Sequence, residues 1–269
     1  MVPRLVKPRL VATDLDGTLL HSDGTVTPRT REVLAELDRR GVPVVYVTGR
    51  PVRWMDALWE TVGGHGLAIC SNGAVVYDVG ARGIRSVRPI PAETVLEVGE
   101  LLRRDLPGTA YALEKTTGFG VEPEFTRRHD RKHMEVPVAP LEDLLDGTVV
   151  KLLAQIEDVD PEVYWRQVEA LVGDRVTVTW SSEWAMVELS AFDVTKASTL
   201  ALVCDEFAID AADVVAFGDM PNDLALLEWA GTSYAMTNAH PLVRELADHL
   251  APANDDDGVA SVLSDLFGL

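Results

Sequence analysis

Five short runs rich in β-branched and other apolar residues, Arg9–Thr13, Val42–Thr48, Gly66–Ser71, Asp213–Phe217 and Tyr234–Met236, punctuate the two ends of the chain. Runs this short and this continuously apolar read as strands covered on both faces, the condition of a parallel sheet. Amphipathic stretches lie between them. Thr27 and Pro28 make an N-cap and first-turn pair, Val33, Leu34 and Leu37 share one face, and Gly41 supplies the stop of a predicted helix. Lys196–Phe207, Pro221–Ala230, Pro241–Ala247 and Gly258–Phe267 repeat the pattern around the later runs. This alternation predicts an α/β fold built on a doubly wound, parallel, Rossmann-like sheet.

The middle of the chain breaks the rhythm. From about residue 83 to residue 189, helical stretches (Ala92–Arg104, Pro161–Val172) are joined by strand-like pieces such as Thr148–Ile156 and Arg175–Trp180. No regular βα alternation connects them. The expected organisation is a discontinuous core, residues 1–82 and 190–269, interrupted by an inserted α+β domain, residues 83–189.

Composition limits the partners. With 47% apolar and 25% charged residues among 269, the chain has enough material to bury a core. Its net charge of −19 repels nucleic acid and anionic membrane surfaces. No apolar run approaches the roughly 18 residues of a membrane helix, and the basic start (Arg4, Lys7, Arg9) leads into a strand, so a cytoplasmic location is expected. Cys70 and Cys204 sit in apolar segments without metal-site spacing and read as reduced packing residues.

Chemistry concentrates at strand ends. The run Val11-Ala12-Thr13-Asp14-Leu15-Asp16-Gly17-Thr18 ends an apolar strand in two carboxylates one residue apart, followed by Gly and a hydroxyl. In an open parallel sheet ligands bind at the carboxyl ends of strands. One of these acids can hold Mg²⁺ while the other handles protons; the alternative is a plain turn, in which Asp and Gly are ordinary turn formers. Thr48-Gly49-Arg50-Pro51 repeats strand, hydroxyl and Gly before a helix-opening Pro, a setting for an anion or for simple strand-to-helix punctuation. Gly218-Asp219-Met220-Pro221-Asn222-Asp223 again ends a strand in an acid, with a second acid four residues on. That pair suits a metal ligand and its supporting carboxylate, or acids favoured at a helix start. Lys196 opens its helix against the dipole, so it is either solvated or recruited to an anion.

Taken together, DLDGT (Asp14–Thr18), TGR (Thr48–Arg50), SNGA (Ser71–Ala74), Lys196 and GDMPND (Gly218–Asp223) resemble the haloacid dehalogenase superfamily. More narrowly they resemble its Cof-type phosphatases, with a large type IIB cap inserted after the third core strand. The likeness continues through Tyr234–Ala239 and Asn254–Ala260. The resemblance implies a Mg²⁺-dependent phosphomonoesterase acting on small phosphorylated metabolites, of the sugar phosphate or phosphorylated cofactor type. Asp14 matches the nucleophile that becomes an aspartyl phosphate, and Asp16 the general acid and base. Asp14, the backbone carbonyl of Asp16 and Asp219 match the metal ligands, with Asp223 a supporting acid. Thr48, Gly49, Lys196 and Asn222 match groups that hold phosphoryl oxygens, and Arg50 and Asn72 either reach substrate or are structural. Ala197 departs from the Gly more usual after the lysine.

Two other functions fit parts of this pattern. Phosphosugar phosphotransfer of the phosphomannomutase kind shares related motifs. A non-enzymatic phosphoacceptor would use a strand-end Asp, but needs neither a second acid nor a lid. The basic run from Thr126 to His133, including Arg127 and Arg128, is either a solvated face or a source of cations for an anionic substrate. Trp54 and Trp59 on one predicted helix suit core or interface equally, and no feature of the chain fixes an oligomeric state.

Overall fold

The computed structural model describes residues 7–55, 62, 66–125 and 136–269, in two compact units: residues up to 86 with 195–269, and residues 87–194. These junctions lie a few residues beyond the positions 83 and 189 suggested by the loss of alternation. The basic run 126–133 and Trp59 lie outside the described residues, whereas Trp54 is half exposed in a short 3₁₀ turn. Among the described residues no helix is long and apolar enough to cross a membrane.

The first unit is built on an eight-stranded sheet. Its strands in chain order are β1 (Leu10–Thr13), β2 (Val44–Val47), β3 (Leu67–Cys70), β4 (Val75–Asp78), β5 (Gly83–Val87), then β11 (Val214–Gly218), β12 (Thr232–Met236) and β13 (His249–Ala251). Their spatial order is β13-β12-β11-β1-β2-β3-β4-β5. All pairs from β13 to β3 are parallel, and β4 returns antiparallel to β3. Thus the chain moves outward from β1 in one direction through β2 and β3, and in the other through β11, β12 and β13. Right-handed crossovers then place the connecting helices of the two halves on opposite faces, which makes the sheet doubly wound. Consistent with this, α1 (Pro28–Arg39) packs beside the last helix (Gly258–Phe267), while helices Lys196–Phe207, Leu224–Trp229 and Pro241–Leu246 pack in succession.

Local chemistry explains the element ends. Thr27 caps α1 by accepting the Thr30 N–H, with Pro28 at the first helical position. Central strands carry residues buried on both faces, such as Leu10, Val11 and Ala12 in β1 and Val214–Phe217 in β11. The point where the strand order reverses lies between β1 and β11, and the segments carrying Asp14, Thr48, Ser71 and Asp219 leave the carboxyl ends of β1, β2, β3 and β11.

The second unit has a five-stranded antiparallel sheet of order β7-β6-β8-β10-β9, from β6 (Ala110–Lys115), β7 (Gly118–Val121), β8 (Val149–Gln155), β9 (Val176–Thr179) and β10 (Met186–Ala191). Helices α2 (Ala92–Asp105) and α3 (Pro161–Val172) bury Val95, Val98, Leu102, Tyr164 and Val168 in one cluster with Tyr111, Leu113, Leu152 and Leu189 of the sheet. The alternate residues Glu114, Lys151, Glu188 and Ser190 are polar and also buried, and Lys151 donates to Glu188 at 2.7 Å. The helices of the first unit that follow are α4 (Lys196–Phe207), α5 (Leu224–Trp229), α6 (Pro241–Leu246) and α7 (Gly258–Phe267).

Candidate active site

Asp14 follows the last residue of β1 and donates its backbone N–H to the Phe217 carbonyl of β11 at 3.0 Å. The chain then makes one wide turn, closed by the Leu20 N–H on the Leu15 carbonyl at 2.8 Å. Inside it Asp16 (φ −73°, ψ 127°) and Gly17 (φ 71°, ψ 0°) have the dihedrals of a type II turn, which calls for Gly at its second central position. Space demands Gly17 as well, because a Cβ there would strike the Asp219 carboxylate. Thr18, at the far side of the turn, donates its hydroxyl to Asp219 Oδ1 at 2.8 Å.

From β11 the chain delivers two acids. Asp219 follows the strand, and the short turn Pro221–Asp223 folds Asp223 back so that its Oδ2 accepts the N–H groups of Asp219 and Met220, each at 3.1 Å. Its Oδ1 accepts from Lys196 Nζ at 2.6 Å, and the same ammonium donates to Asp14 Oδ1 at 2.7 Å. Lys196 opens α4, whose start is fixed by Thr195 and Ser198 exchanging hydrogen bonds of 3.0 Å between side chain and backbone. Of the two sequence readings of Lys196, solvation is excluded, since its side chain is wholly buried between two carboxylates.

The charge count decides the chemistry. Asp14, Asp219 and Asp223 are all buried and offer carboxylate oxygens within 4.8 Å of one another, against one ammonium. Burial raises the Asp14 carboxyl well above its ordinary value; Lys196 opposes the rise, while Asp223, Asp219 and Asp16 add to it. Asp219 is pushed up to about 7 by burial and by Asp223, against the pull of Thr18 and Lys196. Lys196 is itself raised, because attraction to Asp14 and Asp223 outweighs its burial. Three carboxylates around one lysine leave unbalanced negative charge with hard oxygen donors, and this donor set fits a small divalent cation.

The remaining candidates form two further groups. Arg50 forks onto Asp16, its Nε donating to Oδ2 at 2.6 Å and its Nη2 to Oδ1, which raises the guanidinium above its usual value. Asp16 is the exposed acid of the set. Thr48 is buried and accepts the Arg50 N–H at 3.0 Å, with Gly49 half-buried between them. Asn72, buried with φ 56°, accepts at Oδ1 from Asn222 Nδ2 at 3.1 Å, and its N–H donates to the Thr48 carbonyl at 3.1 Å. Asn222 Oδ1 and Ser71 Oγ are buried without a hydrogen-bond partner among the described residues. The structure therefore joins Asp14, Lys196, Asp219 and Asp223 directly, pairs Asp16 with Arg50, and ties Asn72 to Asn222. Residue spacing passed over the link from Thr18 to Asp219 and the contacts of Asn238 and Asn254 with the turn; all three span more than two hundred residues.

Known proteins resemble this chain along nearly its whole length. The family model of haloacid dehalogenase-like hydrolases matches residues 11–263. The chain is 29% identical over 279 residues to the 5-amino-6-(5-phospho-D-ribitylamino)uracil phosphatase YitU of Bacillus subtilis, covering 98% of this chain and 99% of that protein. It is 31% identical over 259 residues to a phosphoglycolate phosphatase of Methanopyrus kandleri, covering 96% and 97%. Its fold matches a solved Bacteroides thetaiotaomicron structure, described among phosphatases of the haloalkanoate superfamily, with a TM-score of 0.83 at 24% identity, covering 100% and 99%. With its strand-end acids and its buried lysine, the chain belongs to the haloacid dehalogenase-like hydrolases.

Proposed function

We propose that this chain is a Mg²⁺-dependent phosphomonoesterase that hydrolyses small phosphorylated metabolites through an aspartyl phosphate on Asp14. The observation that carries the reading is Asp14 at the end of the central strand, bonded to the wholly buried Lys196 and clustered with Asp219 and Asp223. The two relatives named above are phosphatases of quite different phosphorylated molecules, which supports the reaction class and leaves the metabolite open. Residues 87–194 are assigned as the inserted cap domain.

In this reading Asp14 attacks phosphorus while the bond to the leaving oxygen breaks, and Asp16 gives that oxygen its proton. Asp16 then takes a proton from water, whose oxygen attacks phosphorus and breaks the bond to Asp14, releasing inorganic phosphate. Lys196 anchors one oxygen of Asp14, so the carboxylate keeps its orientation as it meets a dianionic ester. Lys196 and the hydroxyl of Thr48, with Gly49 and Asn222, are the groups assigned to the phosphoryl oxygens, where charge builds in the transition state. Arg50 fixes Asp16 at the mouth of the turn. Asp14, Asp219 and the Asp16 carbonyl would hold Mg²⁺, with Asp223 in support; the ion supplies charge neutralisation, without which Asp14 is disfavoured as an anion.

Release of phosphate from an aryl phosphate, measured with Mg²⁺ and with chelator, tests the proposal. Turnover with Mg²⁺ alone is expected, and its loss in Asp14→Asn. Wild-type turnover in that variant, or phosphate release only in the presence of a sugar bisphosphate, would overturn it.

A further inference from the structure

The turn that carries Gly17 and Thr18 is gripped by two asparagines that the reaction above does not use. Asn238, just beyond β12, donates from Nδ2 to the Gly17 carbonyl at 2.8 Å. Asn254, just beyond β13, donates from Nδ2 to the Leu20 carbonyl at 2.9 Å. The two are joined to each other, since the Asn254 N–H donates to Asn238 Oδ1 at 3.1 Å, and Thr237 N–H reaches the Ala251 carbonyl at 2.9 Å. Two carbonyls of the turn, three residues apart, are thus taken by side-chain amides from one platform at the ends of the last two strands.

We propose that Asn238 and Asn254 are positioning residues that hold this turn in the one conformation able to serve the site. Gly17 gives the turn little stiffness of its own, because glycine populates positive and negative φ almost equally. Holding Gly17 O on Asn238 and Leu20 O on Asn254 anchors the far side of the turn to the ends of β12 and β13. The segment that carries the Asp16 carbonyl, the group assigned to the metal, is thereby kept from shifting as a body away from Asp14 and Asp219, and Thr18 stays aimed at Asp219. Asn238 is exposed whereas Asn254 is buried, so Asn238 can be replaced with little effect on folding, and its role is separable from stability.

The test uses the full chain as Asn238→Ala and Asn238→Asp. The aspartate keeps an acceptor for the Asn254 N–H and loses the donor to Gly17, so the two variants should behave alike. In metal-free protein, hydrogen exchange of the segment Leu15–Leu20 should rise about threefold to tenfold in both, the range one ordinary hydrogen bond controls, with no comparable rise elsewhere except at the Asn254 amide of the alanine variant, which loses its acceptor as well. With Mg²⁺, the concentration for half-maximal turnover should rise and kcat fall, together by about 10–100-fold, while KM for the ester changes little. Wild-type exchange in both variants, or an aspartate variant that behaves as wild type, would overturn the proposal. The kinetic part rests on the reaction proposed above; a wild-type protein with no phosphatase activity would refute that reaction and leave the exchange result to decide the positioning role alone.

Discussion

Replacing Lys196 by Met keeps the length of the side chain and removes its ammonium, leaving Asp14 Oδ1 and Asp223 Oδ1 without the cation they now share at 2.7 and 2.6 Å. All three groups are buried. Breaking such a buried pair costs about 3–5 kcal/mol, because the stranded charge keeps its desolvation penalty and loses its partner. At about 2–4 °C per kcal/mol for a unit of this size, the metal-free variant should melt roughly 6–20 °C below wild type at pH 8. The pH sign follows from Asp14. A carboxyl whose folded pKa lies above its unfolded value of 3.8 binds more protons folded than unfolded, so stability falls as pH rises through that window. Lys196 opposes the rise, so its loss widens the window upward and the deficit should be largest at pH 8 and shrink by pH 5. In wild type the raised Lys196 contributes fully below its ordinary value of 10.5, hence at both pH values. Calorimetry in chelator at the two pH values measures this, and Mg²⁺ in excess should narrow the gap. Equal melting temperatures for variant and wild type at pH 8 in chelator would refute the reasoning.

Gly17→Ala should lower turnover at least about tenfold and raise the demand for Mg²⁺, since alanine at φ 71° costs about 1–2 kcal/mol and its Cβ displaces the Asp219 carboxylate; wild-type kinetics with titrated Mg²⁺ would count against it. Asp257→Ala should cost about 1–3 kcal/mol in urea unfolding at pH 7, because its Oδ1 accepts from Thr27, Thr30 and His21 at 2.8, 3.0 and 3.1 Å. Those bonds outweigh burial and hold the Asp257 carboxyl below its ordinary 3.8, so the difference is present above that value and should close as pH falls through the folded one; a constant gap down to pH 3 contradicts this. Asp16→Asn should still accept phosphate from a good leaving group but release it slowly, which rapid-quench kinetics resolves; hydrolysis as fast as wild type would remove Asp16 from the role of base.

The parallel strands β1, β2, β3, β11 and β12 were legible because each contains an unbroken apolar run, and the helices starting at Pro28, Ala92, Pro161, Lys196 and Gly258 because a face, a cap or a stop marks them. The pairs β4–β5 and β6–β7 and the strands β10 and β13 were not singled out. They are short or carry polar residues, as in Gly83–Val87 and in Glu188 and Ser190, so their strand character comes from neighbours far away in sequence. The same holds for the site. Asp14, Asp219 and Lys196 stand at strand and helix ends, where position alone suggests chemistry. The role of Gly17 in giving Asp219 room, the back-folding of Asp223 and the grip of Asn238 on the turn are tertiary facts with no local periodicity to announce them.

The central claim, a phosphoryl group carried on Asp14, is tested most directly by trapping it. Enzyme mixed with excess aryl phosphate and Mg²⁺, quenched in acid within the first turnover and treated with borohydride, should yield one peptide in which the acyl phosphate at Asp14 has been reduced to homoserine, read by mass spectrometry. The account predicts that change at Asp14 in wild type, its accumulation in Asp16→Asn and its absence in Asp14→Asn. An Asp16→Asn enzyme that turns over the ester while Asp14 remains unmodified at every quench time would contradict it.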